Sequence, residues 1–389
     1  MRLELGPMLA LLERLGRPQE GLPVVLVAGT NGKGSVAAML TAILAASGYR
    51  VGLYTSPHLE DVRERIRIDG RVLAEPELAG LVARVLGAAP VPPTYFEALT
   101  AAAILAFRRA GVDLAVLEVG LGGRLDATNA TDPVLSVVTS IDLDHQALLG
   151  STRRAIAAEK AGIFRPVIPA LIGEEREPAA STLRQAARAV GAELVPFRPP
   201  AAASPDRDRL EALALEAAAV LARSSTPAIA PGLAAKALRD LWWPGRDEHV
   251  ALPDGRSAWL DCAHNPAAAV RLAYRLRLEP RRRCLVFGCL IDKDHRGMLE
   301  ALIPEVGAVY LVAPADTARA LSPTQLEALV RSRWPEVEVA SGALAATLDR
   351  ALEVEEQSVI TGSFRVVGPA RRHLRERFGT PRPAIAPLF

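Results

Sequence analysis

The segment Val27-Ala28-Gly29-Thr30-Asn31-Gly32-Lys33-Gly34-Ser35 joins a short apolar run to an alanine-rich stretch of helical character. Glycines at 29, 32 and 34 let successive backbone N–H groups turn toward one anion, and the helix start adds a favourable field. Lys33 brings a mobile cation to the β- and γ-phosphates of a nucleotide, and the Ser35 hydroxyl is placed to reach its Mg2+. The strict G-x-x-x-x-G-K-[ST] spacing is missed, because Gly34 separates lysine from serine. A plain glycine turn is the competing reading of this segment. Composition weighs against it: lysine occurs only at 33, 160, 236 and 293, and asparagine only at 31, 129 and 265, while arginine is abundant. Where a chain avoids a residue type, as under a GC-rich genome or selection by heat, the survivors are candidates for chemistry that arginine or glutamine cannot replace.

A carboxylate from a second strand belongs with such a loop. Glu118 closes the apolar run LAVLEV, where a strand-end acid would meet the magnesium ion of a bound nucleotide. The elements that must position these groups follow from the apolar pattern. Pro23–Ala28, Val51–Tyr54, Asp113–Val119, Val134–Ile141 and Val167–Ile172 are continuous apolar runs rather than alternating ones. Separated by helical stretches such as Gly34–Ala46, they predict a mostly parallel sheet covered on both faces. Phe197–Asp208 reads as an exposed connection and Leu210–Arg223 as a helix. After Trp243-Pro244-Gly245-Arg246 the alternation restarts with strands at Ala258–Asp261, Cys284–Gly288, Ala308–Val312 and Val359–Thr361. The expected architecture is therefore α/β: a phosphate-loop nucleotide-binding domain over 1–245 and a smaller Rossmann-like domain over 246–389.

The bulk numbers agree. A chain of 389 residues can build two cores, and a net charge of +2 gives no electrostatic case for a nucleic-acid or membrane partner. The most apolar stretch, Val36–Ala46, is shorter than the roughly 20 residues that cross a bilayer. The N-terminus does not read as a secretory signal, and Cys262, Cys284 and Cys289 form no CxxC pair, which suits a reducing cytoplasm.

Several ordered segments carry a more specific signal. They are AGTNGKGS at 28–35, YTSPHL at 54–59, ERIRIDG at 64–70, TYFEALT at 94–100, LEVGLGGRLDATN at 117–129, DHQALLG at 144–150, EKAGIF at 159–164, WPGR at 243–246, DCAHNP at 261–266 and DKD at 292–294. In this order they resemble the folylpolyglutamate synthase and dihydrofolate synthase family, a branch of the Mur-type ligases. The resemblance covers nearly the whole chain. It implies a reaction that needs ATP, two magnesium ions, an acceptor carboxylate (dihydropteroate or a reduced folate) and L-glutamate. The carboxylate takes the γ-phosphoryl group, and the glutamate amine then displaces phosphate from the acyl phosphate. Direct condensation would have to expel oxide, so activation comes first; phosphoryl transfer between anions demands concentrated positive charge.

The same resemblance implies the roles. Thr30, Asn31, Gly32, Lys33, Gly34 and Ser35 bind the phosphates, with Ser35 also near the first magnesium ion, while Ser56, Glu118 and His145 surround the second. Without it, His145 reads as a loop or capping histidine, since Mg2+ prefers oxygen. Lys160 matches a lysine that the family carbamylates, which turns a cation beside two divalent ions into an anion. Its competing reading is a solvated helix lysine. Arg246 reaches across the domain gap to the ATP phosphates; Asp261 contacts nucleotide, and His264 either serves the reaction centre or starts a helix. The acceptor pocket falls on Thr94, Phe96, Leu125, Asp126 and Ala127, with Phe96 stacking on the pterin or simply packing in the core. Asn129 is read as holding a turn. The family's adenine-facing asparagine has no counterpart around Asp208–Leu213. A monomer is implied. Two other readings are a UDP-muramoyl peptide ligase and a non-catalytic nucleotide-gated binding protein.

Overall fold

The apolar runs become the central strands of two sheets. In the computed structural model, which describes residues 4–198, 207–223, 231–279 and 281–389, the chain forms two compact units. The first contains β1 (Val24–Ala28), β2 (Val51–Tyr54), β3 (Ile66–Ile68), β4 (Arg71–Val72), β5 (Leu114–Glu118), β6 (Pro133–Val138), β7 (Pro169–Ile172) and β8 (Glu193–Val195). Their spatial order is β4-β3-β2-β5-β1-β6-β7-β8, parallel except where β3 pairs with β2 and β4. Every residue of β1, β2 and β5 is buried, as a parallel sheet covered by helices on both faces requires. Because β1 lies between β5 and β6, the loop after it opens at a change of winding direction, the usual place for a ligand in an α/β sheet.

The second unit contains β9 (Glu248–Ala251), β10 (Ser257–Leu260), β11 (Arg283–Phe287), β12 (Ala308–Val312), β13 (Glu338–Gly342) and β14 (Gln357–Thr361), in the order β13-β12-β11-β14-β10-β9. Only β9 runs antiparallel. Two packed layers cover this sheet: Trp259, Leu285, Phe287, Met298 and Val309 on one face, and Leu260, Val286, Tyr310, Leu348 and Leu374 on the other.

Edge strands escaped the sequence pattern. In β9 burial alternates along Glu248-His249-Val250-Ala251, and β13 buries little, so neither shows a continuous apolar run. The units are also not contiguous in sequence. The second comprises Leu59–Val62 and Trp243–Ala386, while Pro387–Phe389 return to the first. Glu60 explains the first excursion, since its carboxylate pairs with Arg371 and Arg375 of the helix Phe364–Phe378. The Leu388 N–H, donating to the Gly70 carbonyl at 3.2 Å, secures the other. Most of the expected connection Phe197–Asp208 lies outside the described residues. Among the described residues, no helix is long and apolar enough to cross a membrane.

Close packing in the first unit gives a direct test. A Cβ on Gly52 of β2 would sit 2.5 Å from the ring of Phe107, which is fully buried. Gly52→Ala is expected to cost about 1–3 kcal/mol by overpacking. In urea unfolding, the double variant with Phe107→Leu should cost less than the sum of the two single changes, because the smaller side chain vacates the contested space.

Candidate active site

The loop between β1 and the helix Lys33–Ala46 is held before any ligand arrives. Gly29 has φ +147°, and a Cβ there would lie 1.9 Å from Thr139 Oγ1. Gly32 adopts φ +80° and forms the N-cap, with Leu210 packed so closely that a Cβ would come within 2.7 Å of it. The Thr30 N–H donates to the Ser140 carbonyl (2.6 Å), and Thr139 Oγ1 donates to the Asn31 carbonyl (2.6 Å). Thr30 Oγ1 accepts from the Asp142 N–H (3.0 Å), while Asn31 Nδ2 donates to Asp142 Oδ2 (3.3 Å). Asp142 is buried and is itself paired with Arg176 at 2.9 Å and Arg153 at 3.5 Å. Lys33 Nζ donates to the Thr30 carbonyl at 3.2 Å, and Gly34 and Ser35 open the helix with their backbone N–H groups. A loop so braced loses little entropy when it closes on phosphate.

Parallel pairing aligns Tyr54 of β2 with Leu117 of β5, which brings Ser56 and Glu118 together beyond the strand ends. Glu118 is 5% exposed, and its Oε2 accepts from the Ser56 N–H at 2.9 Å. His145 stands in the left-handed region (φ +51°) before the short helix Gln146–Leu149, with its side chain 36% exposed and Nε2 3.9 Å from Asp144. Among the described residues no three His, Cys, Asp or Glu side chains are grouped as a metal site. The Glu118 carboxylate and the neighbouring Ser56 carry oxygen donors of the kind Mg2+ prefers.

Lys160 is no solvated helix lysine. It is 4% exposed at the end of the helix Arg153–Ala161, and Nζ donates to the Gly29 carbonyl at 2.8 Å. Burial, and then the charge of Lys33, bring its pKa down to about 7, against an opposing pull from Asp144 and Asp126. The loop LGGRLDATN wraps this helix end. Asn129 Nδ2 donates to the carbonyls of Arg124 and Gly162, both at 3.0 Å, and Arg124 pairs with Glu159 at 2.8 Å. Asn129 thus holds the turn. Gly123 must be small, since a Cβ would meet the Lys160 carbonyl at 2.8 Å.

The acceptor candidates divide. Thr94 caps the helix Tyr95–Ala110 in a reciprocal box with Glu97, and Phe96 lies half-buried, 5.7 Å from the Tyr54 ring and against Gly120. Asp126 is buried and accepts from the Leu121 N–H (2.9 Å), the Thr128 N–H (3.0 Å) and Thr128 Oγ1 (2.6 Å). Its carboxylate therefore serves the loop's own turn, which sets the backbone of Leu125 and Ala127. Burial raises its pKa. Tyr95, not foreseen, is 59% exposed, with the Arg65 guanidinium 5.3 Å above its ring. A cation–π pair leaves no motif, so only proximity reveals it.

In the second unit the candidates collect after the adjacent parallel strands β10 and β14. Asp261 follows β10, and Asn265 caps the helix Pro266–Leu278 through the Ala268 N–H. His264 sits just before that cap, Nδ1 2.9 Å from the Cys262 carbonyl and its ring 5.7 Å from that of Phe364. Arg246 lays its guanidinium 4.5 Å from the same Phe364 ring. Burial pushes the Cys262 thiol up to about 12, so it stays protonated and inert.

Comparison with known proteins extends the picture. The Mur ligase middle domain matches residues 27–199, and the Mur ligase glutamate ligase domain matches residues 245–364. The folylpolyglutamate synthase of Lacticaseibacillus casei is 35% identical over 94% of this chain and 93% of its own. The dihydrofolate synthase/folylpolyglutamate synthase of Escherichia coli (strain K12) is 38% identical over 91% and 87%. A probable bifunctional folylpolyglutamate synthase/dihydropteroate synthase of Haloferax volcanii is 39% identical over 93% of this chain, which spans only 47% of that longer protein. E. coli FolC in complex with DHPP and ADP superposes with TM-score 0.86 at 34% identity, covering 97% of this chain and 94% of that one. A bifunctional folylpolyglutamate synthase/dihydrofolate synthase with Mn, AMPPNP and L-glutamate bound gives TM-score 0.84 at 34% identity, over 96% and 95%.

The packing around Gly29 predicts a nucleotide phenotype. Gly29→Ala forces a methyl group into Thr139 and strains φ, so the loop must move. Calorimetric affinity for Mg-ADP is expected to fall about tenfold or more, equal to about 1.4 kcal/mol; unchanged affinity would show that the loop's shape is not what binds phosphate.

Proposed function

The chain belongs to the folylpolyglutamate and dihydrofolate synthase family of Mur-type ligases, which are ATP-dependent, and from that premise we propose that it activates the carboxylate of a folate or dihydropteroate as an acyl phosphate and joins it to L-glutamate. ADP and phosphate are the other products. Lys160, buried against the phosphate loop, is the observation that carries the reading furthest: a binding protein has no use for an amine so costly to bury.

On this reading, the N–H groups of residues 30–35 and the Lys33 ammonium hold the β- and γ-phosphates and draw charge off the transferring group. Ser35, Ser56, Glu118 and His145 hold two divalent ions, which would supply Lewis-acid polarisation of the phosphoryl oxygens. Arg246 adds positive charge at the phosphates, Asp261 fixes the nucleotide, and His264 serves the reacting carboxylate or amine. Thr94, Phe96, Leu125 and Ala127 border the acceptor. Asp126 shapes that border through its own turn and is placed to hydrogen-bond the pterin with its remaining acceptor capacity. The enzyme acts as a cytoplasmic monomer on small molecules.

A lysine with a pKa near 7 holds a substantial neutral fraction at neutral pH. The neutral amine's lone pair attacks the carbon of CO2; an N–C bond forms as one C=O π bond opens onto oxygen, and a proton now acidic on that nitrogen leaves to solvent. The resulting carbamate is an anion facing Lys33 and the metal donors, which reverses the repulsion that a protonated Lys160 suffers there.

Phosphate release from Mg-ATP and L-glutamate is expected with dihydropteroate, tetrahydrofolate or both. Release only with a UDP-muramoyl peptide would overturn the acceptor assignment, and release with none would favour a binding protein. Lys160→Ala should lose turnover and regain part of it with a small carboxylate such as acetate; full activity without rescue refutes the carbamate. Stability supplies an independent readout. The folded pKa of Lys160 lies below the unfolded 10.5, so the unfolded chain binds the extra proton between about pH 7 and 10.5. In CO2-free buffer wild-type stability should therefore rise with pH across that window relative to Lys160→Met, by at most about 1.4 kcal/mol per pH unit.

A further inference from the structure

The turn that carries Arg246 is fastened on both sides of that residue. Before it, the Gly245 N–H donates to Glu248 Oε2 at 2.7 Å. After it, the Asp247 N–H donates to Asp261 Oδ2 at 3.2 Å. Gly245 sits at φ +65° and Asp247 at φ +52°, so the turn holds two left-handed residues around Arg246, one of which bears a side chain. Gly245 is also hemmed in, since a Cβ there would meet Leu59 at 2.9 Å and the Cys262 sulfur at 3.1 Å.

Each fastening carboxylate is gripped by an arginine from a distant helix. Arg371, with a side chain 0% exposed, donates through Nε and Nη2 to the two oxygens of Glu248 at 2.7 and 2.8 Å. Glu60 is its second carboxylate partner and the Arg382 carbonyl accepts from it at 3.1 Å. Arg275 donates to Asp261 Oδ2 at 2.8 Å and lies 3.5 Å from Asp247. We propose that Arg371 and Arg275 are positioning residues for nucleotide chemistry: through Glu248 and Asp261 they hold the 245–248 turn so that the Arg246 guanidinium stays over Phe364, aimed before ATP arrives.

Two features favour this over simple stabilisation of the fold. The bidentate Arg371–Glu248 pair fixes direction as well as distance, Arg275 reaches Asp261 and Asp247 together, and both carboxylates, Glu248 and Asp261, end on backbone N–H groups that flank one side chain. A buried ion pair is moreover weak evidence for stability, because desolvation offsets much of its attraction. Two pairs converging on one turn are better explained by the geometry they impose.

The inference rests on the proposed role of Arg246, and a double-variant cycle separates the two. Arg371→Met, Arg275→Met and Glu248→Gln are each made in the wild-type and in an Arg246→Ala background, with kcat and the KM values for ATP and L-glutamate measured. Arg246→Ala itself is expected to raise the KM for ATP about tenfold or more. In wild type, each positioning variant should raise the KM for ATP about threefold to tenfold and change that for L-glutamate less than about twofold; in Arg246→Ala, the further effect on ATP should shrink below about twofold. Leu285→Ala, in the core of the same unit, should lower Tm without this split. Equal effects of Arg371→Met and Glu248→Gln in both backgrounds overturn the positioning inference and leave Arg246 in place. An Arg246→Ala enzyme with unchanged kinetics overturns the role of Arg246, and the positioning inference with it. Should Arg371→Met fail to fold, Glu248→Gln decides the matter, since it loosens one fastening, leaves Arg371 present and, unlike Arg275→Met, acts on no residue assigned to the nucleotide.

Discussion

An amine removed from water beside the glycine loop at 29–35 governs how the first unit is built. Lys160 approaches the Gly29 carbonyl closely, and Lys33 adds like charge to the same neighbourhood. An ammonium so placed is expensive, so its surroundings must be rigid enough to keep it there. The loop around residues 117–129 meets that demand: Asn129 ties two carbonyls, Asp126 satisfies the turn, and Gly123 lets the backbone pass under the helix end. Residues spread along the sequence are thus committed to one position, and the phosphate loop inherits the order.

On the proposed reading, the neutral fraction of that amine is what CO2 would add to. If the carbamate forms, the local field changes sign without any change in shape. Oxygen donors such as the Glu118 carboxylate are then appropriate company for a divalent ion beside that anion.

Much of this was legible in the residues. Continuous apolar runs marked the buried parallel strands because both faces lack water, and the glycine loop announced itself through three glycines beside a scarce lysine and asparagine between a strand and a helix. Scarcity of lysine and asparagine singled out Lys160 and Asn129, and both prove to be fixed by buried contacts. The half-solvated edges β9 and β13 stayed hidden because their pattern resembles ordinary loop composition. Asp126 has a second use that the residues did not reveal: one position before a short 3-10 turn, its carboxylate accepts from the Leu121 and Thr128 backbone N–H groups. The arginines that fasten the Arg246 turn were invisible, since Arg371 and Arg275 look like surface charges in an arginine-rich chain. Only burial distinguishes them.

The short excursion Leu59–Val62 bears on how separable the two halves are. A contiguous fragment beginning at Trp243 would carry Arg371 in its interior yet lack Glu60, leaving a buried guanidinium with one carboxylate where the whole chain offers it two. A fragment ending at Trp242 would in turn lose Pro387–Phe389, whose Leu388 carbonyl accepts from the Trp242 N–H at 2.9 Å. Each half is thus completed by a few residues from the other's stretch of sequence. Such reciprocal lending means that a cut at any single point in the chain leaves at least one half short of residues its own packing uses.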